Sequence, residues 1–268
     1  LSYVVWGSTV GAVLGPNLMQ PAGGIAEHFG LPRLVGPYMI SVVAFFTSMI
    51  VITLLLNPDP YLLSIENHTA TEKPKKVPAK VAMAHIRQNP MALFAMTAVA
   101  IGHVVMVSIM VMTPVHMSHV DVTLKVIGLV ISIHVIGMYA FSPLVGSLSD
   151  KIGKLRTIQI GLLILFASAI VSAHAHANDV TQMAIGLFLL GLGWSFTLVA
   201  GSTLLSTSVD PSMKTGAQGT SDLFMNMLAA VGGALAGVII ANLSYAWLCA
   251  IAMIPVVLVA FWSLRFKR

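Results

Sequence analysis

Long apolar runs, separated by short polar breaks, restrict the folds that this chain can adopt more than any other feature of its sequence. A run of about 20 apolar residues is long enough to cross a bilayer as a helix. We expect about eight such helices, near 1–22, 34–56, 91–115, 125–148, 156–177, 181–205, 219–241 and 244–264. Glycine, proline, asparagine and aspartate mark the breaks, as at Asp210-Pro211. The sequence therefore predicts an all-α polytopic membrane protein.

The composition agrees with a membrane protein and argues against a soluble domain. Of the 268 residues, 57% are hydrophobic and 9% are charged, whereas a soluble domain carries about 25% charged residues. The net charge of +5 does not indicate nucleic-acid binding, because aromatic residues are few and the bases lie between apolar runs. The single cysteine, Cys249, excludes an internal disulfide. We expect the lipid bilayer as a partner, and no nucleic acid.

The orientation follows from the placement of lysine and arginine. The longest polar stretch, 57–90, contains TEKPKKVPAK and is predicted to be a solvated linker. If the spans alternate, twelve basic residues lie on the side of this linker and two, Arg33 and Lys125, on the other, which accounts for all 14. The positive-inside rule then makes the linker and the C-terminal RFKR cytoplasmic. We expect a multi-pass protein of the plasma membrane.

The connection between the fourth and fifth predicted spans has an ordered pattern, GSLSDKIGKLR. Gly146 and Gly153 permit a close helix approach and a sharp turn. Asp150 lies at the end of a span, where its carboxylate can meet a base or a helix N-terminus. A loop that only anchors the chain to anionic lipid would explain the bases, but not their regular spacing from the glycines and the acid. The bases are Lys151, Lys154 and Arg156.

This spacing resembles the signature loop of the major facilitator superfamily, of form G-x-L-x-D-[RK]-x-G-[RK]. In that family the loop occurs between helices 2 and 3 and, more loosely, between helices 8 and 9. The long linker two spans earlier and the four spans that follow match the second occurrence. The resemblance implies that its acid and bases clamp the inner gate in one conformation and release it in the other. The matched positions are Gly146, Asp150, Lys151, Gly153 and Lys154, with Arg156 next to them.

The first predicted span carries a second pattern, WGSTVGAVLGP. Gly7, Gly11 and Gly15 recur every four residues on one helical face, with Pro16 next, and small residues at that spacing favour close packing of membrane helices. The pattern is similar to the antiporter motif of the superfamily's fifth helix. The two glycines that follow the proline in that motif are missing from the matching place, so generic packing stays open as the alternative.

With the first span as helix 5, the resemblance makes the eight spans helices 5 to 12. It divides the chain into the last two helices of an N-terminal half (1–56), a cytoplasmic central linker (57–90) and a complete C-terminal six-helix half (91–268). Helices 1 to 4 are then missing partners, and we expect a part of a longer transporter or a truncated remnant. In these folds the substrate lies at mid-membrane, between repeats that rock against each other.

Histidines and methionines of the third and fourth spans form the most specific candidate site. Ionisable groups at membrane depth are functional candidates because their burial there is unfavourable. Thioether and imidazole ligands favour Cu(I), and M-x-x-x-M followed by H-x-x-x-M resembles the copper-importing branch of the superfamily. The alternatives are methionine as core filler, and histidines that bond to backbone carbonyls or contact an organic substrate. The residues are His103, Met106, Met110, His134 and Met138.

Two further polar sets are candidates. Asp222, with Ser221 and Asn226 in GTSDLFMNM, is a proton-coupling or substrate carboxylate, or an acid that caps its helix; we favour the cap. Histidines near the outer ends of the spans could collect a metal or sense pH, although a solvated loop without a role is the favoured interpretation. The outer set is His116, His119, Asp121, His174 and His176.

No catalytic pattern is recognisable, since the sequence lacks a Walker loop, H-E-x-x-H and G-x-S-x-G. We expect no enzyme and no cofactor. The resemblance implies a secondary active transporter, ion-coupled, that moves a small molecule by alternating access. The glycine-proline pattern of the first span favours export, and apolar spans with few charges suit a hydrophobic drug or metabolite. The His/Met pairs favour import of copper, with Cu(I) as cargo. A non-transporting remnant, or a sensor on the same fold, is the alternative outside transport.

Overall fold

The structure of the protein, a computed structural model, describes residues 2–58, 63, 77–118, 122–176 and 178–266. Within these ranges it consists of α-helices and two short 3-10 turns, Arg33–Val35 and Pro211–Met213. The predicted all-α class is confirmed. The helices are α1 (Ser2–Gly7), α2 (Thr9–Asn17), α3 (Met19–His28), α4 (Gly36–Leu55), α5 (Ala79–Gln88), α6 (Pro90–Ser118), α7 (Leu124–Tyr139), α8 (Ser142–Ile152), α9 (Lys154–Ala173), α10 (Val180–Ser208), α11 (Lys214–Asn242) and α12 (Tyr245–Ser263).

Seven helical stretches of the described chain are long and apolar enough to cross a membrane, and each matches a predicted span. The predicted span at 1–22 is the exception, because turns at Ser8 and Leu18 divide it among α1, α2 and α3. Pro16 and Pro21 lack the N–H that a continuous helix needs on either side of Leu18. The seven spans are Arg33–Leu55, Pro90–Ser118, Lys125–Ile152, Lys154–Ala173, Val180–Ser208, Pro211–Asn242 and Tyr245–Ser263.

The chain packs into two compact units, Leu14–Lys76 and the remainder. In the smaller unit, α3 packs against the beginning of α4, where Gly36 lies so close to the backbone of Ala22 that a Cβ would not fit. From residue 41 onward every residue of α4 is exposed, including large apolar side chains such as Phe45. Such a surface suits contact with lipid. The assignment of 1–56 to an N-terminal half stays a prediction.

The larger unit contains six antiparallel spans, and contacts at their two ends fix the alternation. At one end, the side-chain Nδ2 of Asn89, just before α6, donates to the carbonyl of Ser208 at the end of α10, at 2.6 Å. At the opposite end, the hydroxyls of Thr113 in α6 and Tyr245 in α12 are 2.8 Å apart. Among the described residues of this unit, most of the bases lie at the end with Asn89 and Ser208, and we call it the basic end. Its bases include Lys151, Lys154, Arg156, Lys214 and Arg265.

Helix α10 is the centre of this unit, because α6, α7 and α9 all pack against it. Glycines bring each neighbour close. A Cβ on Gly102 of α6 would overlap Thr197, one on Gly161 of α9 would overlap Phe196, and one on Gly191 of α10 would overlap the backbone carbonyl of His134 in α7. Close packing of this kind holds membrane helices together, since lipid supplies no hydrophobic drive between them.

The glycines of the first predicted span and those of α11 differ in how closely they approach a neighbouring helix. No heavy atom of the described chain lies within 4 Å of a Cβ built on Gly7, Gly11 or Gly15. The close packing predicted for these glycines stays a prediction. In α11, Gly232 does approach a neighbour, since its Cβ would lie 2.9 Å from Val104 of α6.

The last part of the predicted linker is folded. Helix α5 packs against α11 and buries Ala82 and Ile86 completely. Asn89 then begins α6, and its side-chain Oδ1 accepts the backbone N–H groups of Met91 and Ala92 at 3.0 and 3.2 Å. The apolar residues of α5 recur at helical spacing inside a polar stretch, so the prediction of a solvated linker is wrong for 79–88. Residues 59–62 and 64–76 of that linker lie outside the described residues.

Candidate functional site

Three aromatic rings meet at the middle of the spans in the larger unit. His103 lies at the middle of Pro90–Ser118, Tyr139 at the middle of Lys125–Ile152 and Trp194 at the middle of Val180–Ser208. Trp194 is buried, whereas the other two side chains are partly exposed. We call His103, Tyr139 and Trp194 the ring cluster.

Trp194 holds the ring cluster together. Its indole Nε1–H donates to Nδ1 of His103 at 2.9 Å, and its ring meets that of Tyr139 edge to face, with centroids 5.7 Å apart. Because an indole nitrogen can only donate, Nδ1 of His103 accepts, and the neutral imidazole carries its proton on Nε2. His103 thus offers an N–H donor and Tyr139 a hydroxyl, both from partly exposed rings.

Tyr139 lies where its span is broken. It is the last residue of α7, and α8 begins three residues later with Pro143 in its first turn. Pro143 has no N–H for the carbonyl of Tyr139, which instead accepts the hydroxyl of Ser142 at 2.7 Å. Interrupted helices at membrane depth are tolerated where they are buried in protein or line a cavity. The break therefore supports a site at this level.

His134 does not join the ring cluster. The side chain is fully buried, and its Nδ1 lies 2.7 Å from the carbonyl of Leu187 in α10. Because a carbonyl only accepts, Nδ1 carries the proton, and Nε2, which has no hydrogen-bond partner in the described chain, keeps a lone pair. Leu187 and Trp194 are separated by about 10 Å along α10. The two histidines, on α6 and α7, thus contact α10 at different levels.

The methionines of the predicted copper site belong to the apolar core of the larger unit. Met106 and Met138 are buried, and Met110 is partly buried against the same core. The Cγ of Met138 faces Gly191 of α10. Helices α6 and α7, which carry the two pairs, pack mainly on α10 and only slightly on each other. The described residues contain no group of three or more His, Cys, Asp or Glu that could hold a metal ion.

Asp222 and Asn226 are brought together within α11. Gln218 Nε2 donates to the Asp222 carboxylate at 2.9 Å, and Asn226 Nδ2 donates to the Asp222 backbone carbonyl at 2.8 Å. Helix α11 begins at Lys214, two turns before Asp222, and its first residues use no side-chain cap. The favoured interpretation of Asp222 as a helix cap is therefore wrong, because the helix is longer than its apolar run.

The outer set is not gathered into one site by the described residues. His116 lies flat on the ring of Tyr245, with centroids 4.5 Å apart and planes 7° apart. His174 is exposed and bonds through Nδ1 to the backbone of its own helix. His119 and Asp121 lie outside the described residues. The favoured interpretation, a solvated loop without a role, stays a prediction.

The loop GSLSDKIGKLR forms the end of α8, a turn at Gly153 and the beginning of α9. Gly146 lies against the side chain of Ser2, in α1, and Lys154 Nζ donates to the hydroxyl of Thr207 in α10 at 3.2 Å. Asp150 is exposed and forms no ion pair with any described residue. The bond from Lys154 to α10 is consistent with a loop that contacts neighbouring helices, while the gating role implied by the resemblance stays a prediction.

Replacing Gly153 by alanine is expected to lower the free energy of unfolding by about 1–3 kcal/mol, the range for a residue held in a sparsely populated backbone conformation. Gly153 has a φ of +93°, which a residue with a side chain rarely adopts. Thermal unfolding in detergent measures the effect. Gly219→Ala is the matched control, because Gly219 lies inside α11 with open space at its Cβ position. Equal unfolding midpoints for the two variants would show that the turn does not need glycine.

Sequence reasoning found His103 but missed the other two members of the ring cluster. Tryptophan and tyrosine usually mark the two membrane interfaces. Trp194 and Tyr139 lie instead at the middle of spans of 29 and 28 residues. That depth, read from the sequence alone, is the signal that could have identified both.

Comparison with known proteins gives consistent results. A family model described as Major Facilitator Superfamily matches residues 105–268. The chain is 35% identical to the uncharacterized MFS-type transporter YddS of Bacillus subtilis, over 97% of this chain and 61% of that protein. It is also 35% identical to the uncharacterized MFS-type transporter YdeG of the same species, over 96% of this chain and 60% of that protein. The riboflavin transporter RfnT of Brucella anthropi is 25% identical, over 88% of this chain and 56% of that protein. The chain thus spans about 60% of the length of the first two relatives.

Proposed function

The chain belongs to the major facilitator superfamily of transporters, and on that premise we propose that it serves the alternating-access transport of a small molecule with a flat ring. Substrate sites in folds of this kind lie near the bilayer midplane, at the interface of structural repeats. The observation that carries the proposal is the ring cluster, which lies at the middle of three spans. It has the depth and the partly exposed side chains that such a site requires.

The chemistry of the ring cluster favours a ring-containing cargo. The partly exposed ring of Tyr139 can pack against a flat ring, and His103 Nε2–H can donate to a polar atom on its edge. The buried Trp194 positions both rings. One relative is named for riboflavin, a flat multi-ring molecule with polar edges. This name supports the class of substrate, not its identity.

We further propose that the cargo is exported and that an ion gradient drives the transport. The twelve bases on the linker side support a cytoplasmic basic end in the plasma membrane. Apolar spans with few charges favour a hydrophobic cargo, which is typical of export. Asp222 is the candidate proton-coupling group, because its carboxylate lies inside a span and is bonded only by Gln218 among the contacts that the structure gives it.

Inside-out membrane vesicles from cells that express the full-length transporter, helices 1 to 4 included, provide the test. Riboflavin is the flat-ring probe, glucose is the control solute, and an imposed proton gradient is the driving force. We expect gradient-dependent accumulation of riboflavin in the vesicles and no accumulation of glucose. Equal movement of both solutes would contradict the ring-cluster assignment. Movement of neither solute, nor of an uncharged aromatic dye, would contradict transport and agree with the remnant interpretation.

Copper import is the second candidate, and His134 is the observation that favours it. Its Nδ1–H is bonded to a backbone carbonyl while Nε2 keeps a buried lone pair. Metal-binding histidines usually have this arrangement, with one ring nitrogen fixed by a backbone or carboxylate acceptor. Met138 lies one turn away on α7 and supplies a soft ligand that suits Cu(I).

If copper binds here, Met138→Leu and Met106→Leu should each weaken Cu(I) binding to the purified protein by about 10-fold or more. A loss of this size is typical when a residue that supports a metal site is removed. Competition with a chromogenic Cu(I) chelator measures the affinity. Met183→Leu is the matched control, because Met183 is a fully buried methionine of α10. Absence of Cu(I) binding, or equal affinities for the three variants, would remove copper as a cargo.

A further inference from the structure

A groove between α9 and α12 lies apart from the ring cluster, and the proposed transport does not use it. Its volume is about 410 Å³, within the range of about 300–1,000 Å³ of small-molecule sites. Two of its lining side chains, Leu163 of α9 and Phe261 of α12, are 66% and 67% exposed to the surroundings. The groove therefore opens to the outer surface of the spans, where lipid surrounds them.

The lining of this groove is apolar except for two side chains. Its two polar side chains are bonded to each other, since Gln159 Nε2 donates to Ser263 Oγ at 3.0 Å. The hydroxyl of Ser263 in turn donates to the carbonyl of Ala260 at 2.6 Å. The remaining lining residues are apolar, including Phe166 and Val257. A hydrocarbon chain suits such a wall better than a polar solute does, because a polar solute would lose water without gaining partners.

Two arginines lie at the basic end of the groove. Arg156 is one turn before Gln159 on the same side of α9, and Arg265 directly follows Leu264, a lining residue. Both side chains are exposed. The segment after α12 is held in place, because the N–H of Arg265 bonds to the carbonyl of Trp262 at 3.1 Å. The next residue, Phe266, packs on the ring of Phe94 with centroids 5.1 Å apart.

An apolar groove with guanidinium groups at one end has the chemistry of an amphiphile with an acidic head. Guanidinium groups bind phosphate through paired hydrogen bonds. Long basic side chains reach from membrane depth to the headgroup level while their stems cover apolar surface. The cytoplasmic leaflet, where we propose that the basic end lies, is rich in anionic lipid. The positive charge of the two arginines therefore favours a phospholipid with a net negative charge over one without a net charge.

We propose that this groove binds one acyl chain of an anionic phospholipid, whose phosphate is bound by Arg156 and Arg265. The site does not depend on the identity of the transported molecule. It would keep a lipid next to α9 and α12, on the face of the unit away from α7, since α9 and α10 lie between α12 and α7 in the packing order.

Native mass spectrometry of the purified protein tests the site with two probes, phosphatidylglycerol and phosphatidylcholine with the same acyl chains. We expect phosphatidylglycerol to bind at least five-fold more tightly than phosphatidylcholine. In Arg156→Gln/Arg265→Gln this preference should fall to about one. The matched control is Lys151→Gln/Lys214→Gln, which removes two exposed bases from the same basic end but not from the groove, and should keep the preference.

A second variant tests the groove itself. Leu163→Trp should fill it and lower binding of both lipids at least five-fold, whereas Leu144→Trp places the same side chain at an equally exposed apolar position of α8 and should leave binding unchanged. Unfolding midpoints without added lipid check that each variant is folded. Equal loss in the arginine and lysine pairs would show diffuse charge attraction and overturn the site. Unchanged binding in Leu163→Trp would overturn it as well.

Discussion

Replacing Gly191 by alanine is expected to lower the free energy of unfolding by about 1–3 kcal/mol, the range for overpacking in a close-packed interior. A Cβ at this position would overlap the carbonyl oxygen of His134 and lie 2.9 Å from the backbone nitrogen of Met138. Both are backbone atoms of α7, so the overlap cannot be relieved by turning a side chain. Either α7 moves away from α10, or the bond from His134 to Leu187 is distorted. Thermal unfolding in detergent measures the loss.

The matched control for Gly191 is Gly237→Ala in α11. No heavy atom lies within 4 Å of a Cβ at Gly237 in the described chain. Alanine favours a helix and restricts the unfolded chain, so this variant is expected to be neutral or to gain about 0.4–1 kcal/mol. Both variants add one methyl group to a glycine, yet they should shift the unfolding midpoint in opposite directions. A midpoint for Gly191→Ala at or above that of the unchanged protein would show that α7 and α10 are not in close contact.

Replacing Trp194 by phenylalanine is expected to reduce the transport efficiency, kcat/KM, by about 10-fold, which corresponds to about 1.4 kcal/mol. Phenylalanine keeps a ring next to Tyr139 but removes the indole N–H that holds His103. His103 would then turn freely, and its Nε2–H would no longer be directed at one place. Initial rates of riboflavin uptake into inside-out vesicles measure the effect.

The matched control for Trp194 is Trp247→Phe, since Trp247 of α12 is 59% exposed and lies outside the ring cluster. It should transport like the unchanged protein. His103→Leu combined with Trp194→Phe should lose no more than Trp194→Phe alone, because residues that act as a unit are not additive. Equal rates for Trp194→Phe and Trp247→Phe would show that the ring cluster does not contact the cargo.

The sequence predicted the spans well because span length is set by bilayer thickness and hardly by tertiary contacts. Seven of the eight predicted spans are present among the described residues. The exception, at 1–22, depends on two prolines whose local effect an apolar count does not register. Helix α5 was missed for the opposite reason. Its apolar face, with Ala82 and Ile86, is too short to stand out in a polar stretch.

The candidate site was predicted in part, because the sequence fixes the depth of a side chain in a span but not the direction in which the side chain points. His103 was found as an ionisable residue inside an apolar run, on one helical face with Met106 and Met110. His134 was placed at a similar depth, yet it faces the carbonyl of Leu187 instead of the ring cluster. Which neighbour a helix face meets depends on packing, and here it depends on glycines such as Gly191 that the sequence did not distinguish from others.

The position of Trp194 on α10 has a mechanical consequence. Helix α10 runs without interruption from Trp194 to Ser208, about 21 Å at 1.5 Å per residue. Its end is bonded to the segment before α6 through the side chain of Asn89. Just after that end, the Asp210 carboxylate lies 3.5 Å from Nε2 of His85 in α5. A displacement of α5 would therefore be passed by the continuous helix α10 to Trp194, at the middle of its span. Rigid transmission of this kind lets a movement at the surface displace a site that no surface residue touches.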